Sequence, residues 1–575
     1  MTNRYSLSTS CAVLLFLLFS SWRFDSLTAD AQQTGVIAGR VVAEDGGGMS
    51  NVMVDLYPAN TNQRNAGRRF TTSTDEDGNF NFMGVSPRAY SIYVQEAKGY
   101  VSPPATASGS IYYRIGDNVV ITMIRGGVIT GRVTTAEGEP MVGAQVSATK
   151  VRDSEGVPFR RQSFTRPRMT DDRGIYRLYG LTPGTYVVDA RSLLSTQRIS
   201  PYDGFMPTFH PSSTRDTAAE VSVASGSEVA GIDIRYRGDR GHIVSGAVTG
   251  VGEAFQPYVM LISVATASYV GHGGIRSGEA ANSFAIHGVS DGEYEVVAEC
   301  RNEAETLAST PRRVTVRGAD VGGIELKLSP MASIAGKIVV ENQSNVCETK
   351  RKFSIEEAII SLRRDEKSSD SRTVYQGYLT DIAPDDKGEF AIRRIPPGRY
   401  FIEPRLPTEN WYVKSISAPP ITAANARKPA SATDIARGVA LKTGEKLGGL
   451  TVTIASGAAS LSGKLVAAPE GTRLPSRVRV HLAPADAADA GDPLRYAEAI
   501  VRPNGVFALN NIAPGKYWLI ARAAPDDETS DRPAAPIAWD ASERAKLRRE
   551  SEASKVEIEL KPCQRVSDLI VKFAR

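Results

Sequence analysis

Histidine, cysteine and tryptophan are all scarce in this chain of 575 residues, with 5, 4 and 4 copies. The histidines, His210, His242, His272, His287 and His481, contain no His-x-x-Glu or His-Glu-x-x-His pair, so the spacing by which a zinc hydrolase holds metal and base together is missing. Each reads as a surface or loop histidine. Charge of one sign is missing too: 68 basic against 64 acidic residues leave +4, too little and too dispersed for a dedicated nucleic-acid surface. Arg160-Arg161 and Arg363-Arg364 accordingly read as solvated loop charge. Beyond the amino terminus no apolar run approaches the roughly 20 residues of a membrane-spanning helix.

The amino terminus has the order of a secretory signal: Arg4, an apolar core from Ala12 to Phe19, and Ala29-Asp30-Ala31 before Gln32. Cleavage after Ala31 predicts an exported chain, periplasmic, cell-surface or extracellular, without a membrane span. Cys300, Cys347 and Cys563 would then remain. Cys300 shares strand parity with Tyr294, Val296 and Ala298, which predicts a small buried apolar group. If first and last strands run from pole to pole, Cys347 and Cys563 are about one domain length apart, so no bond between them is expected.

What is abundant is repetition. A turn residue, an aromatic two positions on and a Tyr ten positions after that aromatic recur five times: Gly78/Phe80/Tyr90, Gly174/Tyr176/Tyr186, Asn282/Phe284/Tyr294, Gly388/Phe390/Tyr400 and Gly505/Phe507/Tyr517. The second copy is fullest, with Tyr176 and Leu178 alternating, then Thr182-Pro183-Gly184, then Tyr186: strand, tight turn, strand. The first copy has Pro87-Arg88 where the others place a turn glycine, and the third has Asp291-Gly292 without proline. Every copy opens on a glycine among strand formers, Gly39, Gly131, Gly246, Gly336 and Gly463, which predicts a bulge or a close backbone approach. Every copy closes on an alternating run such as Ile324-Glu325-Leu326-Lys327-Leu328. About seven short strands per hundred residues indicate β-sandwiches.

The opening glycine strand, the Asp-rich turn before Phe or Tyr and the Pro-Gly-x-Tyr hairpin resemble the carboxypeptidase regulatory-like domains. That family implies a prealbumin-like or carbohydrate-binding-like sandwich in a multi-repeat exported bacterial protein, and no peptidase activity. Phe205 to Pro211 and Asn410 to Ser415 resemble loop elements of large secreted members. The expected fold is all-β: a tandem array of five antiparallel Greek-key-type β-sandwich domains, with one short helix near the C-terminus beginning at Asp540. The divisions are a signal at 1–31 and repeats at 32–125, 126–237, 238–330, 331–456 and 457–575. Linkers as short as Arg125-Gly126-Gly127 predict a semi-rigid curved rod.

Gly288-Val289-Ser290-Asp291-Gly292 matches the G-x-S-x-G nucleophile elbow, but its place in the repeat is the hairpin and no helix follows. The Asp-rich turns are read as backbone-bonding turns, with Asp75 and Asp77 the candidates should calcium bind. For a sugar, an exposed aromatic face is needed, and the template aromatics are core. The candidates are Trp518, which follows Tyr517 and so faces the other way, and Trp411 with Tyr412 in a loop-like segment. Two classes stay open. One is a non-enzymatic exported binding or scaffold protein of the cell envelope, whose partner is a polysaccharide or an envelope protein. The other is a structural spacer or an accessory of an outer-membrane transport or secretion system. Neither requires a cofactor or a nucleic acid.

Overall fold

The computed structural model describes residues 34–60, 69–95, 97, 99–103, 111–159, 166–191, 205–250, 257–265, 269–273, 275–276, 282–301, 306–341, 347, 353–365, 381–406, 410–418, 436–468, 474–475, 477–502, 504–524, 536–554 and 556–574. The expected signal and Arg160-Arg161 lie outside them. The chain is all-β, with a single α-helix, Ala541–Ser554, among the described residues. Asp540 caps it: its Oδ1 accepts from the amides of Ser542 (2.9 Å) and Glu543 (3.2 Å).

Five apolar cores follow one another along the chain, one per repeat. The register explains the spacing. Each opening glycine pairs directly with the template aromatic: Gly39 with Phe80, Gly131 with Tyr176, Gly246 with Phe284, Gly336 with Phe390 and Gly463 with Phe507. On its other side the opening strand runs parallel to the last strand of the repeat. A Cβ at any of the five glycines would come within 3.0 Å of a backbone carbonyl oxygen, of the last strand in four repeats and of Ile232, between two short last strands, in repeat 2. The otherwise antiparallel sandwiches therefore each contain a parallel pairing, split over two short strands in repeat 2, which alternation alone does not reveal.

The template Tyr closes the hairpin from inside. In each repeat its hydroxyl donates to the carbonyl four residues back: Tyr90 to Ser86 (3.2 Å), Tyr186 to Thr182 (2.5 Å), Tyr294 to Ser290 (2.8 Å), Tyr400 to Pro396 (2.7 Å) and Tyr517 to Ala513 (2.7 Å). A buried ring thus brings its own partner for a hydroxyl that would otherwise be desolvated and unpaired. Ser290 belongs to this hairpin, between strands Ser283–Val289 and Gly292–Arg301, so the elbow match is a turn. In the third repeat Thr306–Ser309 pairs with strands of both sheets and joins them into one nine-stranded sheet.

The array is not the expected curved rod, because the fourth repeat folds back onto the first. Ala59 and Ala89 of repeat 1 pack with Ile359 and Ala383 of repeat 4, and the Ala383 amide donates to the Asn60 carbonyl (2.7 Å).

Cys347 and Cys563 form a disulfide, with Cα atoms 5.4 Å apart, contrary to expectation. The parallel pairs are the reason. Cys347 lies beyond the end of the opening strand of repeat 4, Ala332–Glu341, at the pole where the chain leaves that repeat. Cys563 precedes the last strand of repeat 5, Arg565–Ala574, which starts beside Ser460 at the pole where the chain enters. Both poles meet at one junction. Cys300 is buried and free, as expected.

Candidate functional site

The second sheet of repeat 4 is built from Ile359–Arg364 and Gly398–Arg405. Alternation turns Ile360, Leu362, Tyr400 and Ile402 into the core. The opposite parity, Ile359, Ser361, Arg363, Phe401, Glu403 and Arg405, ought to face water. Instead Ile359, Ser361 and Phe401 are at most 4% exposed, because two other repeats cover this face.

Repeat 1 covers one end. Arg88 forms an ion pair with Glu356 (3.0 Å), and Ser354 donates to the Pro87 carbonyl (3.1 Å). Tyr112 donates through its hydroxyl to Asp381 (3.0 Å), and Arg114 through Nε to the Glu357 carbonyl (3.3 Å). Asp381 also accepts from Ser361 (2.7 Å) and pairs with Arg405 (3.3 Å). Repeat 5 covers the other end. Trp539 stacks on Phe401 with centroids 4.1 Å apart and planes 4° from parallel, and Arg363 lies 5.0 Å from the same indole. Arg363 and Arg364 are therefore strand residues at a junction; Arg364 donates to the Pro397 carbonyl (3.0 Å).

Behind Trp539 lies a buried charged group in repeat 5. Glu498 is paired with Arg479, accepts from the Ile537 amide (3.3 Å) and lies 3.4 Å from Nδ1 of His481. His481, 2% exposed in strand Val478–Pro484, is interior and not the surface histidine expected. Burial pushes the Glu498 carboxyl up, but His481 and Arg479 outweigh it and hold it below the ordinary glutamate value. Glu403 goes the other way: burial raises it, and Arg363 and Arg405 only partly offset that. Arg363 and Arg405 thus act on Glu403 from the repeat 4 face, and Arg479 and His481 on Glu498 from repeat 5.

Of the three aromatic candidates, Trp411 and Tyr412 lie at a junction and Trp518 lies under the helix of its own repeat. Trp411 is half-buried against the repeat 4 core, its ring 4.6 Å from Phe353, and its carbonyl accepts from Asn511 of repeat 5 (2.7 Å). Tyr412 is buried with Ala455, Ala458 and Ala513 between repeats 4 and 5. Their segment, Trp411–Ser417, is a strand paired with Lys446–Ser456 and not a loop. A register shift between Val413 and Ser415 breaks its alternation, which hides the strand from a periodicity reading. Trp518 is half-buried under the C-terminal helix, with the Arg548 guanidinium 5.0 Å over its ring.

Asp75 serves its own turn. Oδ1 accepts from the amides of Asp77 (3.0 Å) and Asn79 (2.7 Å), and Oδ2 from the Asn79 side chain (3.1 Å), which lowers its pKa. Asp171 and Asp385 repeat the pattern. Asp77 contributes its carbonyl, which accepts from Arg40 (2.7 Å). Among the described residues no group of three or more His, Cys, Asp or Glu is placed to hold a metal ion.

Residues 128–201, in the second repeat, match the carboxypeptidase regulatory-like domain family. No curated protein matches the chain. Among solved structures, the minor pilin GBS52 of Streptococcus agalactiae is 14% identical over 35% of this chain and 96% of its own, with a TM-score of 0.20. The Bacillus anthracis TIE protein is 11% identical over 73% of this chain and 74% of its own, at a TM-score of 0.14. A variant of the major pilin subunit of Bacillus cereus is 9% identical over 51% and 99%, at 0.15. No helix among the described residues is long and apolar enough to cross a membrane.

Proposed function

We propose that this chain is a non-enzymatic, exported scaffold of the cell envelope, in which five sandwiches are fixed in one arrangement. One observation carries the reading: the three described tryptophans, Trp411, Trp518 and Trp539, and Tyr412 beside the first all lie at repeat junctions or under the helix. A sugar site needs such rings open to solvent. The Cys347–Cys563 disulfide supports an oxidising compartment and so agrees with the signal-like amino terminus.

A glycan and peptidoglycan array probed with the oxidised chain, followed by thermal-shift titration of every positive, tests this. The scaffold reading expects no glycan that raises the melting temperature. A saturable shift that disappears in Trp411→Ala or Trp518→Ala would return the protein to the carbohydrate-binding class.

A further inference from the structure

In four of the five repeats described residues of the same repeat bond to at least part of the outer edge of the last strand. In repeat 1 Tyr100–Val101 pairs antiparallel with Asn118–Arg125; in repeat 3 Thr306–Ser309 pairs with Val321–Pro330; in repeat 4 Trp411–Ser417 pairs with Lys446–Ser456. Repeat 2 uses a loop: the Arg235 amide donates to the Pro211 carbonyl (2.9 Å), and Ser212 donates to the Arg235 carbonyl (2.8 Å).

Repeat 5 differs. Among the described residues its last strand, Arg565–Ala574, pairs with Ala459–Ala468 alone and ends its sheet. After its hairpin the described chain of repeat 5 continues at residue 536 into the helix, which lies on the other sheet, against Gly515–Ala523. The edge is otherwise prepared as in repeat 4. Gly336 pairs with Leu450 there and Gly463 with Leu569 here, so Val571 and Phe573 correspond to Val452 and Ile454. The bulge matches too, with positive φ at Gly449 and Asp568 just before those leucines. In repeat 4 the covering strand puts Ile416 opposite Val452 and Val413 opposite Ile454, and Val452 and Ile454 are fully buried. Val571 and Phe573 keep 7% exposure each, and Ile570 beside them is 68% exposed.

We propose that the Arg565–Ala574 edge is a docking site for an extended segment of a partner protein, which adds to the sheet as an antiparallel strand. Backbone groups of the edge supply affinity, and alternate side chains supply specificity. The inner side calls for apolar residues opposite Val571 and Phe573, as Ile416 and Val413 provide in repeat 4. The solvent side is basic: Lys572 and Arg565 are exposed, and exposed Lys464 is the cross-strand neighbour of Ile570, against a single acid, Asp568. The segment therefore carries acidic residues on its outer side. This goes beyond the scaffold reading and does not depend on it.

The probe is a labelled synthetic peptide of residues 410–418 carrying Lys414→Glu, titrated into the full oxidised chain by fluorescence anisotropy. Expected are saturable binding, a loss of about tenfold or more with Lys572→Glu or Ile570→Asp chains, and slowed amide exchange confined to residues 565–574. The same peptide with alternate amides N-methylated should bind at least about tenfold more weakly, a comparison that involves no change to the protein. Equal binding of the methylated peptide, or protection elsewhere in the chain, would overturn the proposal. If the chain self-associates and the peptide disperses it, the occupant is a second copy and the stated partner is wrong.

Discussion

Repeats 4 and 5 place an aromatic ring at the same position, one residue after the template Tyr, and the same insertion covers both rings by different means. Phe401 in repeat 4 receives Trp539 in a parallel stack; Trp518 in repeat 5 receives Arg548 from the helix that follows Trp539. The first contact crosses a domain boundary and the second stays within a domain. The insertion in repeat 5 thus finishes its own sheet and its neighbour's with one stretch of chain, while repeat 1 closes the remainder of the repeat 4 face. A face that in an isolated sandwich would be solvated is here interior to the assembly.

Each half of this comparison can be broken separately. Tyr400→Ala and Tyr517→Ala remove equivalent core rings and should each lower the stability of the host repeat by about 3–5 kcal/mol in denaturant unfolding. If a Tyr400→Ala chain unfolded like the parent, the core assignment would fail. Cys347→Ser should uncouple repeats 4 and 5, with a loss of about 2–4 kcal/mol at the junction and two resolved transitions where the oxidised parent shows one. A single unshifted transition would mean that the non-covalent contacts suffice. Trp539→Ala should weaken repeat 4 and its docking by about 1–2 kcal/mol, whereas Arg548→Ala should affect repeat 5 alone and by less. Equal effects of the two on repeat 4 would contradict the division of labour.

The smallest effect concerns pH. Burial raises the Glu403 carboxyl above the ordinary glutamate value of about 4.3. Folded repeat 4 therefore binds a proton that the unfolded chain has already released, and its stability should rise as pH falls from neutral through the raised value. In repeat 1, burial of Asp55 is outweighed by bonds from Arg69, Gln95 and Thr71, and its carboxyl is held low. That contribution is present above the unfolded value and is lost only as pH drops through the depressed one. Urea unfolding between pH 7 and 5 should show the rise for repeat 4 and none from Asp55, and Glu403→Gln should reduce it to the part contributed by Glu356, whose carboxyl burial also raises. An unaltered pH profile in Glu403→Gln would remove Glu403 as the cause.

The repeat unit was legible because it rests on local chemistry. Glycine opposite an aromatic and Tyr bonded to its own turn are fixed by spacing along the chain, so Gly463, Phe507 and Tyr517 announce their roles in sequence. The assembly was not legible, because it depends on which poles meet. Cys347 and Cys563 are far apart on the assumption that poles are separated, and adjacent once each first strand runs parallel to its last. One clue stood in plain view. Repeat 1 lacks the turn glycine and has Pro87-Arg88 instead, and these residues are where repeat 4 docks, through Ser354 and Glu356. Trp411 and Trp518 stand outside the core template, but pattern alone does not separate an open ring from one packed by its own repeat, as Phe353 packs Trp411 and Arg548 packs Trp518.

The disulfide also changes how the molecule would answer a pull. It spans 216 residues of sequence, which free chain would pay out as roughly 700 Å of extension. Tension applied from outside the loop passes through the sulfur–sulfur bond, from the opening strand of repeat 4 to the last strand of repeat 5. Nearly all of both repeats is thereby excluded from the force path. Under reducing conditions that length becomes available, and the same sequence turns from an inextensible link into a long tether.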